Sequence, residues 1–154
     1  MPLVTQQDFE EFLSNNPKLR LLGLDVGTKK IGLALSDKGR ILATPQKTIA
    51  RDKTCFKFLL KLIESEKICA VVVGLPLHMD GKEGDMSNHV RQFTMEFLKL
   101  YDIPILLADE RLSTKQAERF LHFANYSKKK KQNLKDNIAA AHILQIILDQ
   151  LNNG

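Results

Sequence analysis

Six consecutive residues, Ile68 to Val73 (ICAVVV), are apolar at every position. A helix or strand with one wet face would show polar residues at a period near 3.6 or 2. An unbroken short run of this kind marks a central strand covered on both faces. Such a strand needs parallel neighbours, joined to it by right-handed helical crossovers. The flanking sequence supplies them. Phe56, Leu59, Leu60 and Ile63 fall at helical spacing before the run, and Val90, Phe93 and Phe97 do so after it. Ile103 to Ala108 then reads as a further strand. Thr114 to Phe123 and residues 136–151 read as helices, the last strongly apolar.

Upstream the period differs. Arg20 to Val26, Ile31 to Ser36 and Ile41 to Thr48 read as three strands, with Asp37-Lys38-Gly39 as turn chemistry between the second and third. Before them, TQQDFEEFLSN (5–15) reads as a short helix. Thr5 suits its cap, Phe9, Phe12 and Leu13 fall on one face, and Pro17 follows its end. The expected fold class is α/β: an antiparallel three-stranded meander followed by βαβα, giving a mixed five-stranded sheet with helices on both faces. Residues 19–154 are expected to form a single domain, and residues 1–18 a helical extension of it. A chain of 154 residues suits that size.

Composition bounds the function. No stretch approaches the ~18 apolar residues of a membrane span, and MPLVTQQDFEEFL is too acidic for a signal peptide. Cys55 and Cys69 form no CxxC pair and read as reduced core thiols, which points to the cytoplasm. The net charge of +5 permits a polyanionic partner, and it is unevenly placed: Lys128, Lys129, Lys130 and Lys131 are consecutive, in a stretch (NYSKKKKQNLK) that reads as a loop between helices. Beside a carboxylate site such a run could clamp phosphates; by itself it is a solvated loop.

In open α/β sheets, chemistry gathers at the carboxyl ends of parallel strands. Asp25 ends the first strand, Asp109 and Glu110 lie just past the fifth, and Asp136 opens the last predicted helix. Converging carboxylates repel unless a cation lies between them. Oxygen-only donors suit Mg²⁺ or Mn²⁺, and two such ions can drive phosphodiester hydrolysis. Each acid also has an ordinary reading. Asp–x–Gly is a common turn, Asp136 would serve as a helix N-cap, and Arg111 could pair with either neighbouring acid. It is the arrival of three acids at one sheet edge that carries weight, and no single one of them.

The segments LDVGTKKIGLALSD, VVVGLPLHMDG, DERLST and KDNIAAAHILQIIL match, in order, the motifs of the YqgF/RuvX family, which this chain resembles over residues 20–151. Members are bacterial proteins with a ribonuclease H-like fold, related to Holliday junction resolvases and regarded as nucleases for pre-16S rRNA. The resemblance implies strand order 3-2-1-4-5, with the second strand antiparallel, and an acidic triad at Asp25, Glu110 and Asp136. It is the resemblance that selects Glu110 over Asp109.

By the same resemblance Gly27 and Thr28 would lie against a phosphate, and Lys29 or Lys30 could touch the nucleic-acid backbone. Arg111 could hold a phosphate in bidentate fashion. Ser113 suits the cap of the next helix, and Thr114 either role. The GLPLHMDG loop could close over substrate. His78 stands where members often have Asn and receives no catalytic role. His89, His122 and His142 read as helix-face or core residues rather than ligands. No aromatic residues are interleaved for stacking on bases, so backbone and shape recognition is expected.

The expected function is metal-dependent endonucleolytic hydrolysis at the 5′ end of pre-16S rRNA. The substrate would be structured RNA or branched DNA, the protein would work alongside the ribosome assembly machinery, and it would be a monomer or weak dimer. A junction resolvase acting in DNA recombination is the nearest alternative, and a non-catalytic nucleic-acid-binding factor another. A sugar-kinase-type phosphotransferase would share the Asp–x–Gly–Thr turn, but it needs a second domain that the sequence does not contain.

Overall fold

The structure is a computed structural model that describes residues 3–16, 19–110 and 128–153, with the side chains of the last segment described over residues 138–152. In chain order the elements are α1 (Gln6–Ser14), β1 (Arg20–Val26), β2 (Lys30–Ser36), β3 (Ala43–Pro45), β4 (Ile49–Ala50), α2 (Cys55–Ser65), β5 (Ile68–Leu75), α3 (Asp85–Leu100), β6 (Ile105–Asp109) and α4 (Lys128–Asn153).

The sheet runs β3-β2-β1-β5-β6, with β4 also paired to β2. β1, β5 and β6 are mutually parallel, and β2 is antiparallel to β1, β3 and β4. The mixed α/β architecture is the one read from the sequence. The sheet, however, has six strands rather than five. The segment expected as one strand over 41–48 is two short edge pieces. β3 pairs with Ala34–Ser36 and β4 with Lys30–Ile31. The first piece ends at Pro45, after which the Gln46 N–H makes one more bond to the Leu33 carbonyl at 2.8 Å, and Ile41 and Leu42 lie outside it, exposed.

Strand alternation sorts the sheet into two faces. Leu22, Leu24, Val26, Val71, Val73 and Ile105 pack with α2 and α3, where Leu59, Ile63, Phe93 and Phe97 are buried. Leu21, Ala70, Val72, Leu106 and Ala108 pack with α4 and α1. β5 is buried along nearly its whole length, as its unbroken apolar sequence requires. At Gly23 the backbone of α4 comes close to the sheet: a Cβ there would lie 2.9 Å from Cβ of Leu144 and 3.0 Å from the Ala140 carbonyl.

α1 is part of this core. The Thr5 hydroxyl caps it, accepting from the Asp8 N–H at 3.1 Å, and Phe9 is fully buried among the residues of α4 and the sheet. Arg40, with φ of 58°, donates to the carbonyls of Leu13, Leu19 and Asn16, tying the end of α1 to the β2–β3 turn. Val4 donates to the Ile105 carbonyl at 3.1 Å, so the segment before α1 lies along the edge of β6.

Two further boundaries differ from expectation. α4 starts at Lys128, not at 136, so Lys128–Lys131 belong to a helix and not to a loop, and Asp136 lies two turns inside rather than at the N-cap. Lysine is a good helix former, but a run without apolar residues carries no periodic signal. The stretch after β5 is also no open loop. Leu77 and Glu83 pair as a short hairpin, and α3 begins at Asp85. Both cysteines are free, Cys55 buried and Cys69 half-buried, and burial raises both thiol pKa values. Among the described residues no helix is long and apolar enough to cross a membrane.

Candidate active site

Register fixes which side chains meet. Leu24 of β1 lies beside Val73 of β5, and Gly74 beside Ala108 of β6, so Asp25, Gly74 and Ala108 fall on successive strands at one level of the sheet. Asp25 shares the parity of Leu21 and Gly23, and Glu110 that of Leu106 and Ala108. Both acids therefore belong to the face that α4 covers. Asp109 has the opposite parity and is exposed.

Between Asp25 and Glu110 lies Gly74. A Cβ there would collide with the Glu110 carboxylate and approach Cδ1 of Ile143 in α4 to 2.6 Å. The glycine is the space in which the carboxylate rests. The Glu110 N–H donates to the Leu75 carbonyl at 3.3 Å, extending the β5–β6 ladder by one step and fixing the backbone that carries the acid.

The electrostatics follow from this crowding. Glu110 has its pKa pushed up to about 7, first by burial, then by the negative charges of Asp25 and Asp109. A half-buried carboxyl with two acidic neighbours and its own pocket is the donor chemistry of a hard divalent cation. Such a cation would relieve the repulsion that raises the pKa. Asp25 and Glu110 thus fit an Mg²⁺ or Mn²⁺ ion. Among the described residues no group of three acids, histidines or cysteines stands close enough to hold a metal. Asp136 occupies α4 one turn before Ala140, the residue whose carbonyl lies against Gly23 of β1.

The β1–β2 turn stands at the same edge. Gly27 N–H donates to the Lys30 carbonyl at 2.8 Å, closing the hairpin around Thr28 and Lys29. A Cβ on Gly27 would lie 2.9 Å from that same carbonyl, so the turn itself requires glycine. Thr28, Lys29 and Lys30 are exposed. The Arg51 N–H donates to the Lys29 carbonyl at 2.8 Å, anchoring the turn to the chain after β4.

Of the remaining sequence candidates, Arg111, Ser113, Thr114 and His122 lie outside the described residues, as does the helix read over 114–123. Lys128–Lys131 lie in the first turn of α4. His78 is exposed on the 77–83 hairpin, His89 lies in α3, and His142 is half-buried in α4 with its pKa lowered by burial. Gly74 was not among the sequence candidates. Its signal was present: a lone glycine next to the end of an otherwise apolar central strand.

The profile of the RuvX family, described as "Holliday junction resolvase", matches residues 19–150. Proteins of Paramagnetospirillum magneticum and Rhizobium meliloti are each 43% identical to this chain. They align over 97% and 98% of it and over 96% and 92% of their own lengths. Both carry the name "Putative pre-16S rRNA nuclease". Among solved structures, Thermus thermophilus RuvC in complex with a Holliday junction substrate has a TM-score of 0.55 at 12% identity, covering 86% of this chain and 96% of its own. The fowlpox virus resolvase with Holliday junction DNA has a TM-score of 0.55 at 14% identity, covering 86% of this chain and 99% of its own. These two share the fold. Full-length matches at 43% identity, together with the profile match, establish that this chain belongs to the RuvX family.

Proposed function

We propose that this protein is a divalent-metal-dependent endonuclease that hydrolyses phosphodiester bonds at the 5′ precursor end of 16S rRNA in the bacterial cytoplasm. One observation carries the reading: Asp25 and Glu110 stand on the same face of the sheet at the carboxyl ends of β1 and β6, over a glycine that leaves room for the carboxylate. Names of relatives matching over nearly their whole length support the RNA substrate. Asp136 is the third acid of the site, delivered by α4.

An Mg²⁺ or Mn²⁺ ion held by these acids, or a pair of them, would supply an activated water and a counter-charge for the leaving oxygen. The chain's own residues do the rest. Glu110 would hold the ion together with Asp25, and its raised pKa means that its proton would have to leave for it to do so. Gly27 and Thr28 keep the β1–β2 turn tight beside the phosphate. Lys29, Lys30, Arg111, Thr114 and Lys128–Lys131 contact the backbone of the nucleic acid. The protein acts as a monomer or weak dimer, with the ribosome assembly machinery as its setting.

The test is cleavage of a 5′-extended 16S rRNA precursor and a four-way DNA junction side by side, in Mg²⁺, Mn²⁺ or EDTA. Metal-dependent cutting of the RNA is expected, and Asp25→Asn should lower it by about two to three orders of magnitude, the usual cost of removing a preorganised charge. Cutting of the junction alone would transfer the reading to a resolvase. Binding of both without cutting by wild-type protein would refute the enzyme.

A further inference from the structure

The 77–83 hairpin is held at more points than a covering loop needs. Leu77 and Glu83 pair across its base, and the His78 N–H donates to the Lys82 carbonyl at 2.9 Å. The Gly81 N–H donates to the His78 carbonyl at 2.8 Å, with Gly81 at φ of 86°, and the Lys82 N–H donates to Oδ1 of Asp80 at 2.9 Å. Behind it, the fully buried Ser87 hydroxyl donates to the Pro76 carbonyl, and Arg91 grips Glu83 through Nε at 2.6 Å and a second nitrogen at 2.9 Å. The His78 ring rests where a Cβ on Gly84 would stand. A loop built to open and close would keep fewer of these bonds.

At the tip of this rigid hairpin is Met79, 83% exposed, the most exposed large apolar residue among those described. The hairpin leaves β5 at Leu75, whose carbonyl holds the Glu110 backbone. Met79 is four steps along the chain from Leu75, so the tip stands within ~14 Å of that point. The exposed Lys82 in the same turn offers a cation for a phosphate beside it.

We infer that Met79 is a wedge that enters a base step of the bound nucleic acid next to the scissile bond and unstacks it, setting where paired substrate opens. Unbranched apolar side chains on a fixed support can insert between bases in this way, whereas a flexible support would lose the insertion energy to its own motion. Aromatic stacking was not expected from the sequence. A single methionine needs no aromatic partner, and it favours no particular base. The inference rests on the nuclease reading for the location of the substrate.

The test uses full-length protein and an RNA stem carrying the sequence of the precursor 5′ end, fully paired or with a two-nucleotide mismatch at the cleavage position. A 2-aminopurine is placed at successive steps of the paired stem. Binding by Asp25→Asn protein in EDTA, where cutting is suppressed, should raise 2-aminopurine fluorescence at one step, and the added Met79→Ala change should remove that rise. In the active background, Met79→Ala should lower kcat/KM on the paired stem roughly tenfold and leave the mismatched stem within about twofold. Met79→Phe should retain both properties. Equal loss on the two stems, or no loss on either, would overturn the wedge. Should no substrate be cut, the nuclease reading fails, and the fluorescence arm still decides the wedge: a rise that Met79→Ala abolishes supports it, and an unchanged rise or no binding ends it.

Discussion

At the scale of single residues, Glu110 is decisive. Its pKa of about 7 lies above the ordinary value of 4.5, chiefly because it is buried and then because Asp25 and Asp109 repel its charge. Without a cation, the folded state therefore holds a proton that the unfolded chain releases. The stability from that proton is fully present below about 4.5 and is lost as pH rises through about 7, a total on the order of 3 kcal/mol. Thermal unfolding in EDTA should show the stability of wild-type protein falling relative to Glu110→Gln across this window. Identical pH profiles for the two would mean that the carboxyl is not crowded as described. The sequence carried much of this. A carboxylate ending an apolar strand marks Asp25 without any coordinates. The choice between Asp109 and Glu110 was less accessible, because parity has meaning only after the frame of β6 is known. Ala108 and Leu106 face α4, so Glu110 does too.

Among the elements, the junction of β5 with α4 decides the shape of the site. Gly74 admits the Glu110 carboxylate and Ile143 into one space. Gly74→Ala should push one of them away. The expected result is a loss of about 1–3 kcal/mol of stability from overpacking. The loss of cleavage should be about 100-fold, larger than that strain alone implies, because a ligand displaced by an ångström no longer fits. Calorimetric unfolding and steady-state rates on the same variant separate the two effects. Gly74 was hard to read in the sequence because periodicity counts a glycine as a neutral member of an apolar strand. The start of α4 was hidden for a different reason. Lys128–Lys131 are compatible with a helix by propensity but give no amphipathic pattern, so the helix becomes visible only where its apolar face begins. The split of the edge strand into β3 and β4 accompanies a register shift: the edge chain takes five steps from Thr44 to Ile49 while β2 takes four from Leu35 to Ile31, and one extra residue leaves no periodic signal.

The whole molecule is a three-layer sandwich in which each layer has a separate task. α2 and α3 cover one face, with Phe56, Phe93 and Phe97 in mutual contact and Arg51 4.7 Å above the Phe93 ring. α4 and α1 cover the face that carries the acids. The family match begins at residue 19, yet Phe9 is fully buried in the same cluster as Leu144 and Leu148, and Arg40 holds the end of α1 through three carbonyls. The N-terminal helix is therefore built into the layer that supports the site. Its amphipathic pattern was plain in the sequence, but its docking was not, since nothing local in residues 5–15 names the partner surface.

The central claim is that Asp25 and Glu110 jointly hold a divalent cation, and calorimetric titration with Mn²⁺ near pH 6 tests it most directly. At that pH Glu110 is mostly protonated, so binding must expel a proton, which appears as a dependence of the heat on the ionisation enthalpy of the buffer. Wild-type protein should bind Mn²⁺ with release of about one proton, Glu110→Gln should bind more weakly with no release, and Asp25→Asn should bind at least ~10-fold more weakly. Binding of Mn²⁺ by all three proteins with equal affinity and no proton release would contradict the account.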